Sequence, residues 1–257
     1  MKASLQFIAF KTLLIKEIRR FARIWVQTLV PPAITVMLYF IIFGNLIGSR
    51  IGEMGGYSYM EFVVPGLIMM GVITNSYANV VSSFFNARFQ RHVEELLVSP
   101  MPNYIILWGF VGGGVARGLS VGFIVTVLAT FFADLSVHNL PITISVVVLT
   151  SVLFSLAGFI NAVFAESFDD ISVIPTFVIT PLIYLGGVFY SIDLLPDFWA
   201  DVSKLNPILY MVNGFRYGIL GVSDIDIVWA FSMITVFIVV AYIYCLYLLE
   251  TGKKLRM

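Results

Sequence analysis

The stretch FVVPGLIMMGVITNSYANVVSSFF, residues 62–85, contains no charged side chain. As an α-helix it would extend roughly 36 Å, which is enough to cross the roughly 30 Å hydrocarbon core of a bilayer. Its Pro and Gly do not argue against a helix, because lipid offers no water to satisfy an open backbone. The stretch therefore predicts a transmembrane helix.

The whole chain has the composition of a membrane protein. Of its 257 residues, 60% are hydrophobic and 12% are charged, about half the charged fraction of an ordinary globular protein. The sequence therefore predicts an all-α polytopic membrane protein. Six apolar runs are long enough to be transmembrane helices, at residues 25–47, 62–85, 105–132, 141–165, 171–190 and 227–249.

The N-terminal residues 4–24 are predicted to form an amphipathic helix with one apolar arc and one basic arc. The apolar arc contains Phe7, Phe10, Leu14, Ile18, Phe21 and Trp25, and the basic arc contains Lys16, Arg19, Arg20 and Arg23. Such a helix is suited to the headgroup layer of an anionic membrane surface. The alternative is a helix that packs on a soluble partner.

Basic residues are distributed unevenly between the two sides of the six predicted spans. With the N-terminal helix inside, the cytoplasm receives Lys2, Lys11, Lys16, Arg19, Arg20, Arg23, Arg88, Arg91, Lys253, Lys254 and Arg256. The outer side receives only Arg50, Lys204 and Arg216. This bias predicts that both termini are cytoplasmic. The formal net charge of zero gives no reason to expect a nucleic acid partner.

Residues 86–102 form the most polar cytoplasmic stretch between two spans. Apolar residues recur there at helical spacing among charged ones: Phe89, Val93, Leu96 and Leu97 among Arg88, Arg91, Glu94 and Glu95. The pattern indicates either a short helix that contacts another protein or a solvated connector, and its length and regularity favour contact.

The outer segment 191–226 mixes aromatic and aliphatic residues with Pro, Asp and Asn. Its apolar pieces are too short to cross a bilayer, and they are too aromatic for a soluble loop. We therefore predict re-entrant or interfacial helices on the outer face, before the last span.

Two patterns inside the spans involve polar and small residues. A polar stripe in the second span contains Asn75, Asn79, Ser82 or Ser83, and Asn86. It could line a polar translocation path or join helices by hydrogen bonds, of which the second is commoner. In the third span, Gly114, Gly118 and Gly122 permit the close approach of another helix.

Arg117 is the one charge that lies within a predicted span. A charged residue inside the membrane is a functional candidate by default, although its long side chain can also extend to the interface. We hypothesise that it forms an ion pair with Glu166, Asp169 or Asp170 in the next cytoplasmic connection.

Motifs for catalysis, metal binding and nucleotide binding are absent from the sequence. No phosphate-binding loop ending in Gly-Lys-Ser or Gly-Lys-Thr occurs. His92 and His138 fall on opposite predicted faces, and no spacing typical of a metal site is present. The sequence therefore predicts a chain that is not an enzyme and has no catalytic residues, no metal site and no cofactor of its own.

Three stretches together resemble the ABC-2-type permease family. They are KEIRRFARIW at 16–25, EELLVSP at 94–100, and the region from PLIYLGGVFY at 181–190 through LNP at 205–207 to GFRYG at 214–218. The third stretch is the most specific. The resemblance covers nearly the whole chain, so residues 1–257 are expected to form a single transmembrane domain.

The resemblance implies the transmembrane permease subunit of an ATP-driven exporter in the bacterial inner membrane. Such an exporter would move an amphipathic or lipid-linked substrate out of the cytoplasm or the inner leaflet. Two copies of the permease would work with two copies of a separate ABC ATPase, which would bind ATP and Mg. Membrane lipids would be the remaining partners.

The resemblance also implies roles for particular residues. Lys16, Arg19, Arg20, Arg23 and Trp25 would belong to an interfacial gate helix. Arg88, Arg91, Glu94, Glu95, Leu96 and Leu97 would belong to a coupling helix that docks on the ATPase. Pro181, Gly186 and Gly187 would lie at the dimer axis, where a cysteine at Val188 is expected to crosslink two copies.

Two other function classes stay open from the residues alone. An ion-coupled carrier would favour acidic residues deep in the spans and two similar halves, and neither is found. A membrane-embedded lipid or sugar transferase would cluster Asp, His or Arg on one face. Only Asp134, His138, Asp193, Asp197 and Asp201 gather outside, where solvation of the loops explains them better.

Overall fold

The computed structural model describes residues 3–252 and 254–255, except for the side chains of Asn45 and Ser49. Lys2, Lys253 and Arg256, which the charge pattern assigns to the cytoplasm, lie outside the described residues. The described part is almost wholly helical. Its one sheet is a hairpin of β1 (Glu53–Met54) and β2 (Tyr57–Ser58).

The N-terminal quarter contains a long amphipathic helix followed by the first apolar segment. Helix α1 spans Ala3–Arg23. The apolar segment is built from α2 (Trp25–Thr28), α3 (Val30–Tyr39), a π-helix (Phe40–Ile47) and α4 (Gly48–Ile51). The break between α2 and α3 falls just before two consecutive prolines, which have no N–H to continue a helical ladder.

The hairpin leads into the central helix, α5 (Tyr59–Phe89). The Gly55-Gly56 turn has positive φ at both residues, a backbone that favours Gly. Ser58 then caps α5 in a reciprocal capping box with Glu61, so the start of the helix is fixed by its own sequence.

The remaining long helices are α7 (Asn103–Ala129), α8 (Leu140–Phe164) and α13 (Ile227–Thr251). A short helix, α6 (His92–Val98), joins α5 to α7. Within residues 3–252, five helical segments are long and apolar enough to cross a membrane: Trp25–Gly44, α5, α7, α8 and α13. All five coincide with predicted spans.

The span predicted at 171–190 is shorter in the structure. It consists of α9 (Asp170–Ile174), a π-helix (Pro175–Ile179) and α10 (Thr180–Tyr184), and the helix ends six residues before the predicted boundary. The chain turns after Tyr184, and Gly187 adopts a φ of +69° that only Gly takes without strain. The predicted end of this span lies too far along the chain because it was placed from apolar composition alone.

Helix α5 lies at the centre and is buried along most of its length between α7 and α8. Glycines make this packing possible. A Cβ atom on Gly114 or Gly118 would collide with Ser76 of α5, and one on Gly158 of α8 would approach the Tyr77 carbonyl to 2.6 Å. The predicted role of the third-span glycines in close helix packing is confirmed.

The outer segment contains a 3-10 helix (Ile192–Leu194), α11 (Asp197–Lys204) and α12 (Pro207–Leu220). Helix α11 exposes Phe198 and Trp199, whereas α12 is buried against α5, α8 and α13. The short helices predicted in this segment are therefore present, and one of them belongs to the core.

The charge pattern assigned Arg216, on α12, to the outer side. In the structure, however, Arg216 does not face the outer solvent. Its side chain is fully buried, and its guanidinium lies 3.8 Å from the centre of the Phe62 ring. Its Nη2 donates to the Gly187 carbonyl at 2.6 Å, and its Nε donates to the Phe62 carbonyl at 3.3 Å. The residue ties α12 to α5 and to the turn after α10.

Candidate functional site

A polar network joins the N-terminal helix to the centre of the bundle. Glu17 of α1 is fully buried between α5 and α7. Its Oε2 accepts hydrogen bonds from Ser83 Oγ at 2.5 Å and from Arg20 Nε at 3.3 Å. Lys16 Nζ lies 3.7 Å from the other oxygen. The carboxylate is therefore held by two cations and one hydroxyl.

Arg20 continues this network to the polar stripe of α5. Its Nη2 donates to both the side-chain and the backbone oxygen of Asn79, each at 2.8 Å. Arg20 thus points into the bundle, away from the basic arc to which the helical pattern assigned it. Lys16, Arg19 and Arg23 are exposed, as the basic arc predicted, and Trp25 of the apolar arc is exposed as well.

The contact between α1 and α7 depends on glycines. A Cβ atom on Gly113 would lie 2.5 Å from Glu17 Cβ, and one on Gly109 would collide with Leu13. Because α7 offers only backbone at these positions, α1 can bring a charged side chain against it. In this structure α1 therefore packs on helices of its own chain. The amphipathic pattern did not suggest this packing.

Arg117 forms no ion pair with Glu166, Asp169 or Asp170, and that hypothesis was wrong. Its Nη2 donates instead to Asn75 Oδ1 at 3.0 Å and to the Thr28 carbonyl at 3.3 Å. Among the described residues, the ion pairs are Lys16–Glu17, Arg20–Glu17, Lys204–Asp201 and Lys254–Glu166. Arg117 lies fourteen residues after the start of α7, about 21 Å along the helix axis.

Arg117 and Asn75 line a cleft of about 430 Å³ between α3, α5 and α10. Its polar lining also includes Gln27, Thr35, Thr74 and Thr180. Its apolar lining includes Pro31, Pro32, Val36, Met70 and Ile183. A cleft of this size with both kinds of wall is typical of sites that bind small amphipathic ligands.

An aromatic cluster adjoins the cleft through Tyr39 and Tyr184, which are part of its lining. The hydroxyl groups of Tyr39 on α3 and Tyr184 on α10 lie 3.3 Å apart. Phe189 contacts both rings, with centroids 6.1 Å from Tyr39 and 5.6 Å from Tyr184, and Phe43 stacks on Phe189 at 4.8 Å. This aromatic cluster joins the first apolar segment to the segment that ends at Tyr184.

The polar stripe on α5 has more than one role. Asn75 faces the cleft and orients Arg117, while Asn79 receives Arg20. Ser82 donates to the carbonyls of its own helix, at Ala78 and Asn79, and does not line the cleft. The stripe therefore joins helices at two positions and contributes to a polar wall at one.

The segment predicted at 86–102 is a helix–turn–helix in the structure. Asn86 to Phe89 extend α5, Arg91 turns the chain with a φ of +62°, and α6 follows. On α6, Val93 is buried against α5, Leu96 and Leu97 are half-buried, and Glu94 is half-buried. Arg91 and Glu95 are exposed.

Arg88 lies in a different environment from the rest of that predicted set. It is buried, and its guanidinium donates to the carbonyls of Ala162, Val163 and Ala165 at the end of α8. A cation is favourable there because the last carbonyls of a helix carry partial negative charge. Arg88 is therefore not a surface contact of this chain, which corrects the prediction.

Comparison with known proteins identifies the family. A family model described as ABC-2 type transporter matches residues 8–220, most of the chain. The chain belongs to the ABC-2 type transporter family. The ABC-2 resemblance of the N-terminal, cytoplasmic and outer stretches is thereby confirmed, and the carrier and transferase alternatives lose their support.

Two relatives illustrate the range of this ABC-2 family. The inner membrane transport permease YadH of Escherichia coli K12 is 62% identical over 252 residues, covering 98% of each chain. Nodulation protein J of Rhizobium leguminosarum bv. trifolii is 23% identical over 207 residues, covering 80% of this chain and 79% of the relative. This chain is accordingly a multi-pass membrane permease subunit of the ABC transporter class.

The third ABC-2 stretch has a clear structural role. Asn206 caps α12 by accepting from Ile208 N at 3.0 Å, and it donates to the Leu182 carbonyl at 2.6 Å. Gly186 and Gly187 are buried in the turn before it, whereas Pro181 is exposed. Val188 is fully buried against Gly66, so the predicted crosslink through position 188 is contradicted.

Several residues of this ABC-2 site escaped sequence analysis. Glu17 has no predicted role, although it falls in line with Leu13 and Phe21 at four-residue spacing. That spacing could have shown that Glu17 shares the buried face of α1. Tyr39 and Tyr184 carry no such signal, because aromatic residues are common throughout the spans.

Proposed function

We propose that this chain is the transmembrane subunit of an ATP-driven exporter in the bacterial inner membrane. Two copies would work with two copies of a separate ABC ATPase, which would bind ATP and Mg. The substrate would be an amphipathic or lipid-linked molecule moved out of the cytoplasm or the inner leaflet. Membership of the ABC-2 family is the main support for this proposal. The exposed helix α6, on the same chain that forms the cleft, supports it as well.

The position of α6 supports a mechanical role. It follows α5 after a two-residue turn and is anchored to that helix by buried Val93. The exposed side chains of Glu95 and Val98 on α6, and of Arg91 in the turn before it, are available to a partner. A partner that closes on ATP and displaces α6 would therefore act directly on α5.

The contacts of α5 would relay such a displacement to the cleft. Asn79 and Ser83 connect α5 to α1, and Asn75 connects it to Arg117 on α7. A shift of α5 would change the hydrogen bonds that shape the polar wall. Such coupling requires a packed element with two arrangements, and α5 with α6 extends from the surface to the cleft.

The orientation proposed here has both termini and α6 in the cytoplasm, with six membrane helices. The segment from Asp170 to Tyr184 would then be the fifth of these, although it is shorter than the other five. The basic exposed residues of α1 support this orientation, because positive charge accumulates on the cytoplasmic side.

The test of the proposal is association with an ATPase and coupling to its hydrolysis. The permease would be tagged, purified from its native membrane with bound ATPase, and compared with Glu95→Lys on α6. We expect the variant to lose co-purification or to hydrolyse ATP without transport. Glu250→Lys, an exposed charge reversal at the end of α13, is the matched control. Equal association and coupling in both variants would contradict the proposal.

The proposed second copy has its own test. Phe177 is 74% exposed on the short segment between α9 and α10, which buries few of its apolar side chains. Because the single native cysteine, Cys245, is buried, Phe177→Cys is expected to give a specific crosslink between two copies in membranes. Val188→Cys, which is enclosed within one copy, should not crosslink. Failure of Phe177→Cys would argue against a contact at this segment.

A further inference from the structure

The cleft contains the cation Arg117, which forms an ion pair with no carboxylate among the described residues. Glu17 is the carboxylate of the network that joins α1 to α5, and it is already engaged by Lys16, Arg20 and Ser83. Among the described residues that line the cleft, none is acidic. Arg20 contacts Asn79, which lies four residues along α5 from the Asn75 that Arg117 contacts. The three cations of this region therefore face a single carboxylate.

The hydrogen bonds of Arg117 leave part of its guanidinium without a partner. Both bonds come from Nη2, and both acceptors are neutral oxygens. Nε is buried without any hydrogen-bond partner, and Nη1 donates to no described residue. A guanidinium in a low-dielectric site is stabilised by an anion, and its fork of donors matches phosphate or carboxylate oxygens.

The rest of the cleft fits a molecule that has an apolar part. Pro31, Val36 and Met70 form an apolar wall next to Arg117. On α3, which lines the cleft, Ile34, Met37 and Leu38 expose apolar side chains. In a bilayer these exposed apolar side chains would contact acyl chains.

We propose that Arg117, with Asn75 and Gln27, binds the anionic, phosphate-type headgroup of an amphipathic molecule in this cleft. This inference rests on the proposed function, because it gives that exporter a substrate class. Asn75 Oδ1 holds the guanidinium in place and Gln27 contributes further polar atoms to the wall, while the apolar part of the ligand lies along Pro31, Val36 and Met70. The recognition is by charge and shape, with no covalent step.

The binding test uses the purified full-length chain with a reporter inside the cleft. Thr35 lines the cleft and is exposed, so Thr35→Cys can be labelled with a maleimide while buried Cys245 stays unlabelled. Dioctanoyl phosphatidylglycerol, an anionic lipid, is expected to slow labelling about tenfold at ten times its Kd. Dioctanoyl phosphatidylcholine, whose net charge is zero, is expected to leave labelling within about twofold of the free rate.

Variants at Arg117 show whether the cation is responsible. In the Thr35→Cys background, Arg117→Gln is expected to weaken the phosphatidylglycerol effect about tenfold or more, and Arg117→Lys to weaken it less because the charge remains. Arg50→Gln, an exposed residue away from the cleft, is the matched control and should bind like the parent. Unchanged protection in Arg117→Gln would overturn the proposal.

Two further arms keep the test decisive. If Arg117→Gln does not fold, the comparison of the two lipids on the parent chain decides, and equal protection by both overturns the proposal. Inorganic phosphate alone is expected to protect weakly. Protection by phosphate as strong as that by the lipid would overturn the amphipathic part and indicate a site for a free anion.

The outcome is distinguishable from failure of the proposed function, since no ATPase is used. If phosphatidylglycerol binds through Arg117 while Glu95→Lys leaves ATPase association unchanged, the proposed anion site is supported and the proposed coupling role of α6 is contradicted. If the ATPase associates through α6 while both lipids protect equally, the proposed permease function is supported and the proposed anion site is contradicted.

Discussion

Replacement of Glu17 by Gln tests whether the network between α1 and α5 stabilises the fold. The carboxylate is fully buried, and it accepts a bond from Ser83 at 2.5 Å and another from Arg20 at 3.3 Å. Gln has the same shape but no charge, so the substitution removes the electrostatic part of these contacts and little of the packing. We expect Glu17→Gln to lower the free energy of unfolding.

The magnitude follows from the two contacts. A hydrogen bond to a charged group contributes about 1.5–3 kcal/mol and a neutral one about 1 kcal/mol, so the Ser83 contact would lose about 0.5–2 kcal/mol. Arg20 is 31% exposed and keeps its bonds to Asn79, which limits the loss from the ion pair to about 0.5–1 kcal/mol. Together these give a destabilisation of about 1–3 kcal/mol.

The assay is denaturant unfolding of the purified permease in mild detergent, followed by tryptophan fluorescence. Ser83→Ala and the double variant complete a cycle, in which a direct contact should give a coupling of at least about 0.5 kcal/mol. Glu250→Gln at the exposed end of α13 is the control and should change stability by less than about 0.5 kcal/mol. A Glu17→Gln variant as stable as the control, or more stable, would refute the reasoning.

Three further substitutions test contacts that hold the bundle together. Arg88→Gln removes charged donors from the carbonyl end of α8 and should cost about 2–3 kcal/mol in unfolding free energy. Arg216→Lys keeps the charge but loses the planar contact with the Phe62 ring, and a cost of about 1–3 kcal/mol is expected in the same titration. Gly118→Ala places a methyl group against Ser76 and should cost about 1–3 kcal/mol.

Matched controls separate these effects from general sensitivity to substitution. Arg91→Gln removes an exposed arginine three residues from Arg88, so it should leave stability nearly unchanged. Gly71→Ala on α5 would bring its Cβ no closer than 3.4 Å to another side chain, an ordinary contact, so little cost is expected. If Arg88→Gln and Gly118→Ala were as mild as these controls, the observed contacts would not carry the stability assigned to them.

The helices were predictable because lipid leaves the backbone few alternatives. Residues 62–85 have no charge and cannot expose their N–H and C=O groups to hydrocarbon, so a long helix was the expected result, and α5 includes all of them. The segment ending at Tyr184 was predicted too long because composition does not reveal where Gly187 can turn the chain.

The candidate site was predictable only in part. Asn75 and Arg117 were recognised because polar residues inside a span are rare and costly. Their mutual hydrogen bond was not foreseen, and neither was the burial of Arg88. These contacts depend on which faces of two helices meet. A shift of one helix along the other by a single residue would change the hydrogen-bond partners.

The sequence by itself determined that this protein is a helical membrane permease, because apolar length and the order of its characteristic motifs are local properties of the chain. Only the tertiary structure decided that Glu17 and Arg20 point inward and that Arg117 opens on a cleft without an acidic partner. The physical reason is that the neighbours of a charged side chain determine its environment and its partners. Those neighbours come from helices that are far apart in the sequence.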